Sequence, residues 1–313
     1  MPVVVFAQDA TPEINMSNGR IIYVTETSAG HNTLMSMNPD GNESKPLTKN
    51  DVSPLAASAS PDGAQIAFVD LTSYDLYVIK PDGSGQKRLT QGGPASNPNY
   101  SGWLPDGSGA LYLTDKRNLR SDFDLTGNAS VMRKEVFVAS TSGGASGVIG
   151  EIPLAIDRIG NWSADGKWLV VNGTEAPVKK DGKWRFARGM YLAAVDGTIQ
   201  KILNGDLGMG RFSPDGKQIA FIDGNRQLEV MTVDLTQSPA VVDHFKTIAG
   251  GFGSSVSSFA WSPDGKQIVM HFFMNIDTNG GPGFVYSVNA DGNDLKMLAP
   301  TGQANATVAW ISE

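Results

Sequence analysis

Short runs of alternating apolar and polar residues recur along the chain, separated by tight clusters of Pro, Asp and Gly. Gln218-Ile219-Ala220-Phe221 and Gln267-Ile268-Val269-Met270 are two such runs. A period of two is that of a half-buried strand. The cluster before each run has a fixed form: an aromatic residue, then Ser-Pro-Asp-Gly, then two spacers. Its best copies start at Phe212 and Trp261, and looser ones at Ala59, Trp103 and Trp162. Met16-Ser17-Asn18-Gly19-Arg20-Ile21-Ile22-Tyr23 is a degenerate first copy. Pro presets φ and Asp-Gly supplies the positive-φ positions of a tight turn, so each copy predicts a β-hairpin.

A second pattern follows in most copies: an apolar strand, another Asp-Gly, and a short last strand. Leu76-Tyr77-Val78-Ile79-Lys80-Pro81-Asp82-Gly83 leading to Arg88-Leu89-Thr90 is one example. Each repeat therefore reads as four strands. The turn glycines Gly19, Gly63, Gly107, Gly166, Gly216 and Gly265 are separated by 44, 44, 59, 50 and 49 residues. Spacings of roughly 40–50 residues with short strands mark the blades of a β-propeller. Thr307-Val308-Ala309-Trp310 resembles the strand ahead of each turn, and the first repeat lacks such a strand. The expectation is an all-β, six-bladed propeller of four-stranded antiparallel blades. Its ring is closed by the C-terminal strand completing the first blade, which removes a free edge. Two repeats carry insertions, about Asp115 to Lys134 and about Glu175 to Arg188, both after the second strand of their blade.

Composition sharpens this reading. The 36 Gly and 17 Pro could signal disorder, but the repeat makes them turn punctuation. Zero Cys excludes disulfides and Cys-ligated metals. A net charge of -7 with few basic runs makes nucleic acid a poor partner. No stretch is long and apolar enough to be a transmembrane segment. Residues 1–13 read as an N-terminal arm or a residual signal-peptide segment, with Ala7 at the small-residue position of a cleavage site. Residues 14–313 read as a single propeller domain. The apolar residues 1–10 could also pair with a neighbouring chain in self-assembly.

The copies of Ser-Pro-Asp-Gly-Lys-x-Ile-Ala-Phe, the Leu-Tyr-Val strand before Asp-Gly, and the Arg-Leu-Thr ending resemble the TolB-type propeller repeat, related to the WD-type class. The resemblance runs from about Ile14 to Trp310. TolB itself is a periplasmic protein with an α/β domain ahead of its propeller, and it binds partners of an envelope system. The resemblance implies a TolB-like propeller lacking that N-terminal domain, periplasmic or secreted, and bacterial. It is specific for the fold and poor for the function.

Chemistry is sparse. No Gly-x-Ser-x-Gly elbow occurs, and His31, His244 and His271 lie in different repeats. His271, at the end of a second strand, is the exception to watch. Asn275-x-Asp277-x-Asn279-Gly280 offers alternate oxygen ligands as in half of a calcium loop, without its closing acid. It is a Ca2+ candidate or a polar hairpin tip. Asn97, Asn99, Asp157, Arg158, Arg211 and Asn305 fall on or before the innermost strands. They form a candidate ligand site at the axial mouth, or bond to one another across the axis. The insertion holding Lys180, Lys183, Trp184, Arg185 and Arg188 is basic and aromatic in an acidic chain. It is the candidate loop for a protein partner, or a solvated hairpin. Trp103, Trp162, Trp261 and Trp310 share one repeat position and read as blade-to-blade core. Three functions remain open: a non-enzymatic module binding a protein or envelope component; a hydrolase or lyase with an axial-mouth site; and a subunit of an extracellular assembly joined through its N-terminal strand.

Overall fold

The runs pair as the repeat requires. A computed structural model describes residues 19–27, 31–49, 51–92, 101–115, 134–142, 147–148, 154–175, 178–180, 183–185, 187–194, 196–250, 254–274, 282–302 and 307–312. Six four-stranded antiparallel sheets form six blades. The second blade is Pro54–Ala59, Ile66–Asp70, Leu76–Ile79 and Lys87–Arg88. The third is Ser101–Trp103, Gly109–Asp115, Lys134–Ser140 and Gly147–Val148. The fourth is Ala155–Trp162, Trp168–Thr174, Arg188–Ala194 and Ile199–Asn204. The fifth is Gly210–Phe212, Gln218–Ile222, Leu228–Asp234 and Val241–Ala249, and the sixth is Ser254–Trp261, Gln267–Met274, Gly283–Asn289 and Lys296–Gly302. The first blade takes Arg20–Glu26, Asn32–Met37 and Lys45–Pro46 from the start of the chain, and its innermost strand, Val308–Ile311, from the end. Ile21 pairs with Trp310 and Ile22 with Ala309, so the expected closure is what forms.

The core is a ring of seams between blades. Ile22, Leu34, Ile66 and Phe68 fill the seam of the first and second blades. Val170, Met190, Phe212 and Ile219 fill that of the fourth and fifth. Strand alternation feeds this design, because one face of each strand serves one seam and the other face the next. Gly160 and Gly210 let two innermost strands meet at the axis, since a Cβ on Gly160 would run into the Gly210 carbonyl oxygen.

The Ser-Pro-Asp-Gly turn is closed by its own side chains. Ser213 Oγ donates to Asp215 Oδ1 at 2.6 Å, and the same oxygen accepts the Lys217 N–H at 3.1 Å. Ser213 Oγ also accepts the Gln218 N–H at 3.0 Å, while Gly216 takes φ of +71°. The Ser213 hydroxyl, above all, holds the Asp215 carboxyl below its usual range. Ser60, Ser163 and Ser262 repeat the bond to their Asp at 2.6, 2.6 and 2.7 Å. The Asp215→Ala variant is expected to lose about 1 kcal/mol in urea unfolding, the net worth of such bonds at an exposed turn. An unchanged midpoint would show that Pro and Gly set the turn alone.

Antiparallel order fixes what each face of the disc carries. The Ser-Pro-Asp-Gly turns and the second Asp-Gly turns lie on one face. Connections from second to third strands, and links between blades, lie on the other, so the fourth-blade insertion leaves from that second face, while residues 116–133 of the third-blade insertion lie outside the described residues. No helix among the described residues is long and apolar enough to cross a membrane.

Candidate functional site

The axial channel opens differently on the two faces. On the insertion face, Arg158, Asp206, Asp223, Arg226, Ser257 and Thr307 are among the residues lining a polar pocket of about 470 Å³. It spans the entrances to the fourth, fifth and sixth blades and the closing strand. Arg158, half-buried, donates from Nη1 to the Leu207 carbonyl at 3.0 Å, fixing the link between the fourth and fifth blades. Arg188 pairs with Asp206 at 3.0 Å, joining the base of the fourth-blade insertion to the pocket rim. Both side chains of that pair are exposed, so it orients more than it stabilises. Asp223 closes a tight turn by accepting the Asn225 and Gln227 N–H groups at 2.9 and 2.7 Å, which presents exposed Arg226 at the rim.

The insertion folds as a small hairpin, Val178–Lys180 paired with Lys183–Arg185. Lys180, Lys183, Trp184 and Arg185 are thus on its strands, while their side chains lie outside the described residues. Ser257 lines the polar pocket, and behind it stands His271, buried to 1% exposure. Its Nδ1 is 2.6 Å from Ser257 Oγ and its Nε2 is 2.8 Å from Thr301 Oγ1. Burial pulls its pKa down to about 4, so the ring is neutral at physiological pH. Gly283 makes room for it, because a Cβ there would collide with Nε2. His271 therefore serves as a buried tie between strands.

On the turn face, every blade's first strand contributes to a second cavity of about 370 Å³. Trp103, Trp162, Trp261 and Trp310 are buried, as expected of seam residues, and their edges also reach this cavity. Trp103 Nε1 donates to the Ser58 carbonyl at 3.1 Å and Trp261 Nε1 to the Arg211 carbonyl at 3.2 Å, each crossing to the preceding blade.

The described axial candidates do not form one cluster. Arg158 reaches the insertion-face pocket, whereas Arg211, midway along a three-residue strand, faces the cavity at the opposite end. Asp157 is half-buried where the strand register shifts between Ile156 and Arg158. Asn97, Asn99 and Asn305 lie outside the described residues, as do Asn275, Asp277 and Asn279 of the calcium-like loop and residues 1–10. Among the described residues, no three His, Asp or Glu side chains gather as metal ligands. Asp206, Asp223, Arg226 and Ser257 escaped sequence reasoning. The polar turn formers Asn204-Gly205-Asp206, ahead of the fifth blade's first strand, and Asp223-Gly224-Asn225, after its second, were the available signal.

Comparison with known proteins agrees on the fold and divides on activity. No family model matches the chain. TolB from Acinetobacter baumannii superposes with a TM-score of 0.66 at 19% identity, covering 94% of this chain and 67% of that one. A putative TolB from Agrobacterium tumefaciens gives 0.58 at 16% identity, covering 95% and 99%. An oligogalacturonate lyase from Dickeya dadantii (strain 3937) is 23% identical over 185 residues, which is 52% of this chain and 44% of the lyase. The match thus spans less than half of the lyase's length. The chain has the TolB-type six-bladed propeller fold.

Proposed function

We propose that this protein is a binding module that docks a partner protein on its insertion face, in the periplasm or outside the cell. One observation carries the reading: the Arg188–Asp206 pair joins the base of the basic insertion to the rim of the polar pocket, so the insertion leaves the disc beside the mouth. In a chain of net charge -7 this local excess of Lys and Arg selects an acidic patch on the partner. The TolB-like fold supports a binding role and the extracytoplasmic setting implied by the repeat. A photo-crosslinking residue at position 184 should trap one partner in cells. A variant with residues 179–186 replaced by an Asn-Gly turn should bind that purified partner about 30-fold or more weakly, the scale of losing an interface hot spot. Unchanged affinity of the shortened variant would refute the reading.

The lyase match and the Ser257–His271 pair at the pocket favour a second reading, an enzyme acting on an acidic oligosaccharide. Oligogalacturonate incubated with the protein separates the two. Unsaturated product that disappears in the Ser257→Ala variant would support the enzyme.

A further inference from the structure

Arg211 is a half-buried cation with a buried Nε, and among the described residues it has no counter-ion. It is the middle residue of Gly210–Phe212, and its side chain faces the turn-face cavity. Its Nε is fully buried and has no hydrogen-bond partner among the described residues. The comparison with other arginines is direct. Arg88 pairs with Asp75, Arg188 with Asp206, Arg158 with the Leu207 carbonyl, and Arg20 with Ser36 and Asn38. Arg211 shows no such bond or ion pair among the described residues. Burial alone lowers its pKa to about 10, which leaves it cationic at neutral pH. A guanidinium donor buried without an acceptor is costly, and proteins retain one where a ligand completes it.

The neighbours of Arg211 leave it without an acceptor. Asn161 spends its amide on the Phe212 backbone, donating to the carbonyl at 3.1 Å and accepting the N–H at 2.7 Å. The Arg211 carbonyl is taken by Trp261 Nε1, which also holds the strand in place. Two further donors on the cavity wall, Trp162 Nε1 and Trp310 Nε1, are buried and unsatisfied, unlike their repeat-mates Trp103 and Trp261. Among the described lining residues Arg211 is the sole charged side chain, and none is an acid. The rest of the wall is Trp, Phe, Pro, Ala, Gly, Ser, Asn and Ile. The cavity thus combines a cation, surplus N–H donors and apolar surface, at the lower end of small-ligand volumes.

We propose that this cavity binds a small organic carboxylate, its carboxyl group on Arg211 and its apolar body against the tryptophans. The mouth sets a charge limit. Asp62, Asp106, Asp165, Asp215 and Asp264 ring it, each bonded within its own turn, and Lys167 and Lys266 pair with two of them. Their remaining negative field disfavours multiply charged anions, so a monocarboxylate is preferred over phosphate.

The site reports on itself, because four tryptophans line it. Titration of the full chain with benzoate and with butyrate should quench Trp fluorescence saturably, with Kd at or below about 1 mM. Benzamide, an uncharged mimic of benzoate, and inorganic phosphate should each bind about tenfold or more weakly. Arg211→Met should weaken benzoate binding about 30-fold or more. It should melt no lower than the parent chain, because it removes an unpaired charge rather than a contact. The inference is overturned by no saturable response to either carboxylate, by equal binding of benzamide, or by full binding in Arg211→Met. A clearly lowered melting temperature of Arg211→Met would also overturn it, marking the residue as structural. None of these results depends on the partner docking at the opposite face.

Discussion

Deleting residues 307–313 should abolish cooperative folding of the ring. Val308, Ala309, Trp310 and Ile311 are 1, 4, 5 and 2% exposed, and they alternate between two seams. Val308 and Trp310 pack toward the sixth blade, Ala309 and Ile311 toward the second. A buried Trp is worth about 3–5 kcal/mol and a buried Ile or Val about 1–4, so the loss is on the order of 10 kcal/mol. That rivals the whole stability of an ordinary domain, about 5–15 kcal/mol. The deletion also bares the edge of Arg20–Glu26 from Arg20 to Tyr23, which invites aggregation. The expected result is loss of the sharp thermal transition, with association seen in light scattering. A synthetic peptide of residues 303–313 supplied in trans should restore the transition by strand addition, and the same peptide carrying Trp310→Ala should not. A truncated chain that melts as sharply as the parent would show that the seams close without this strand.

The closure was legible in advance because its signals are local or periodic. The Ser-Pro-Asp-Gly turns encode hairpins through the φ of Pro and Gly and through side-chain bonds within the turn, and the repeat spacing counts the blades. The position of Trp310, one period after Trp261, identified the missing strand. The fourth-blade insertion was legible for the same reason, as excess length at one repeat position, and it folds as a hairpin on the expected face.

The site was less legible because its geometry depends on neighbours from other blades. Arg158 lies eight residues before Gly166 and Arg211 five before Gly216, and one lines the insertion-face pocket while the other lines the opposite cavity. That spacing separates the two ends of the channel, but only the assembled ring decides which residues from other blades meet each arginine there. Whether Trp162 or Trp261 finds a carbonyl depends on how closely the preceding strand approaches, which no single repeat encodes. His271 gave no sign of its setting either, since Ser257, Gly283 and Thr301 come from three other strands of its own blade.

His271 should make the protein acid-sensitive well above the range in which carboxylates titrate. Its folded pKa is about 4 against 6.5 for a free imidazole, and burial is the cause. The depressed value means that the unfolded chain binds the proton more readily. The neutral ring's contribution is therefore complete above about pH 6.5 and is lost as pH falls toward 4. A difference near 2.5 units corresponds to about 3 kcal/mol between pH 7 and 4. The turn carboxylates Asp62, Asp165 and Asp215, held below 3.8 chiefly by their serine hydroxyls, act in a lower window. Their share is lost only as pH falls below about 4, so the two sources separate on the pH axis. The measurement is urea unfolding of the parent and of His271→Gln at steps from pH 7.5 to 4. The parent should lose about 3 kcal/mol more than the variant over that range. The variant should be the less stable of the two at neutral pH, because the bonds to Ser257 and Thr301 are disturbed. Parallel stability curves for the two proteins would show that the imidazole opens to water on protonation, and the burial argument would fail.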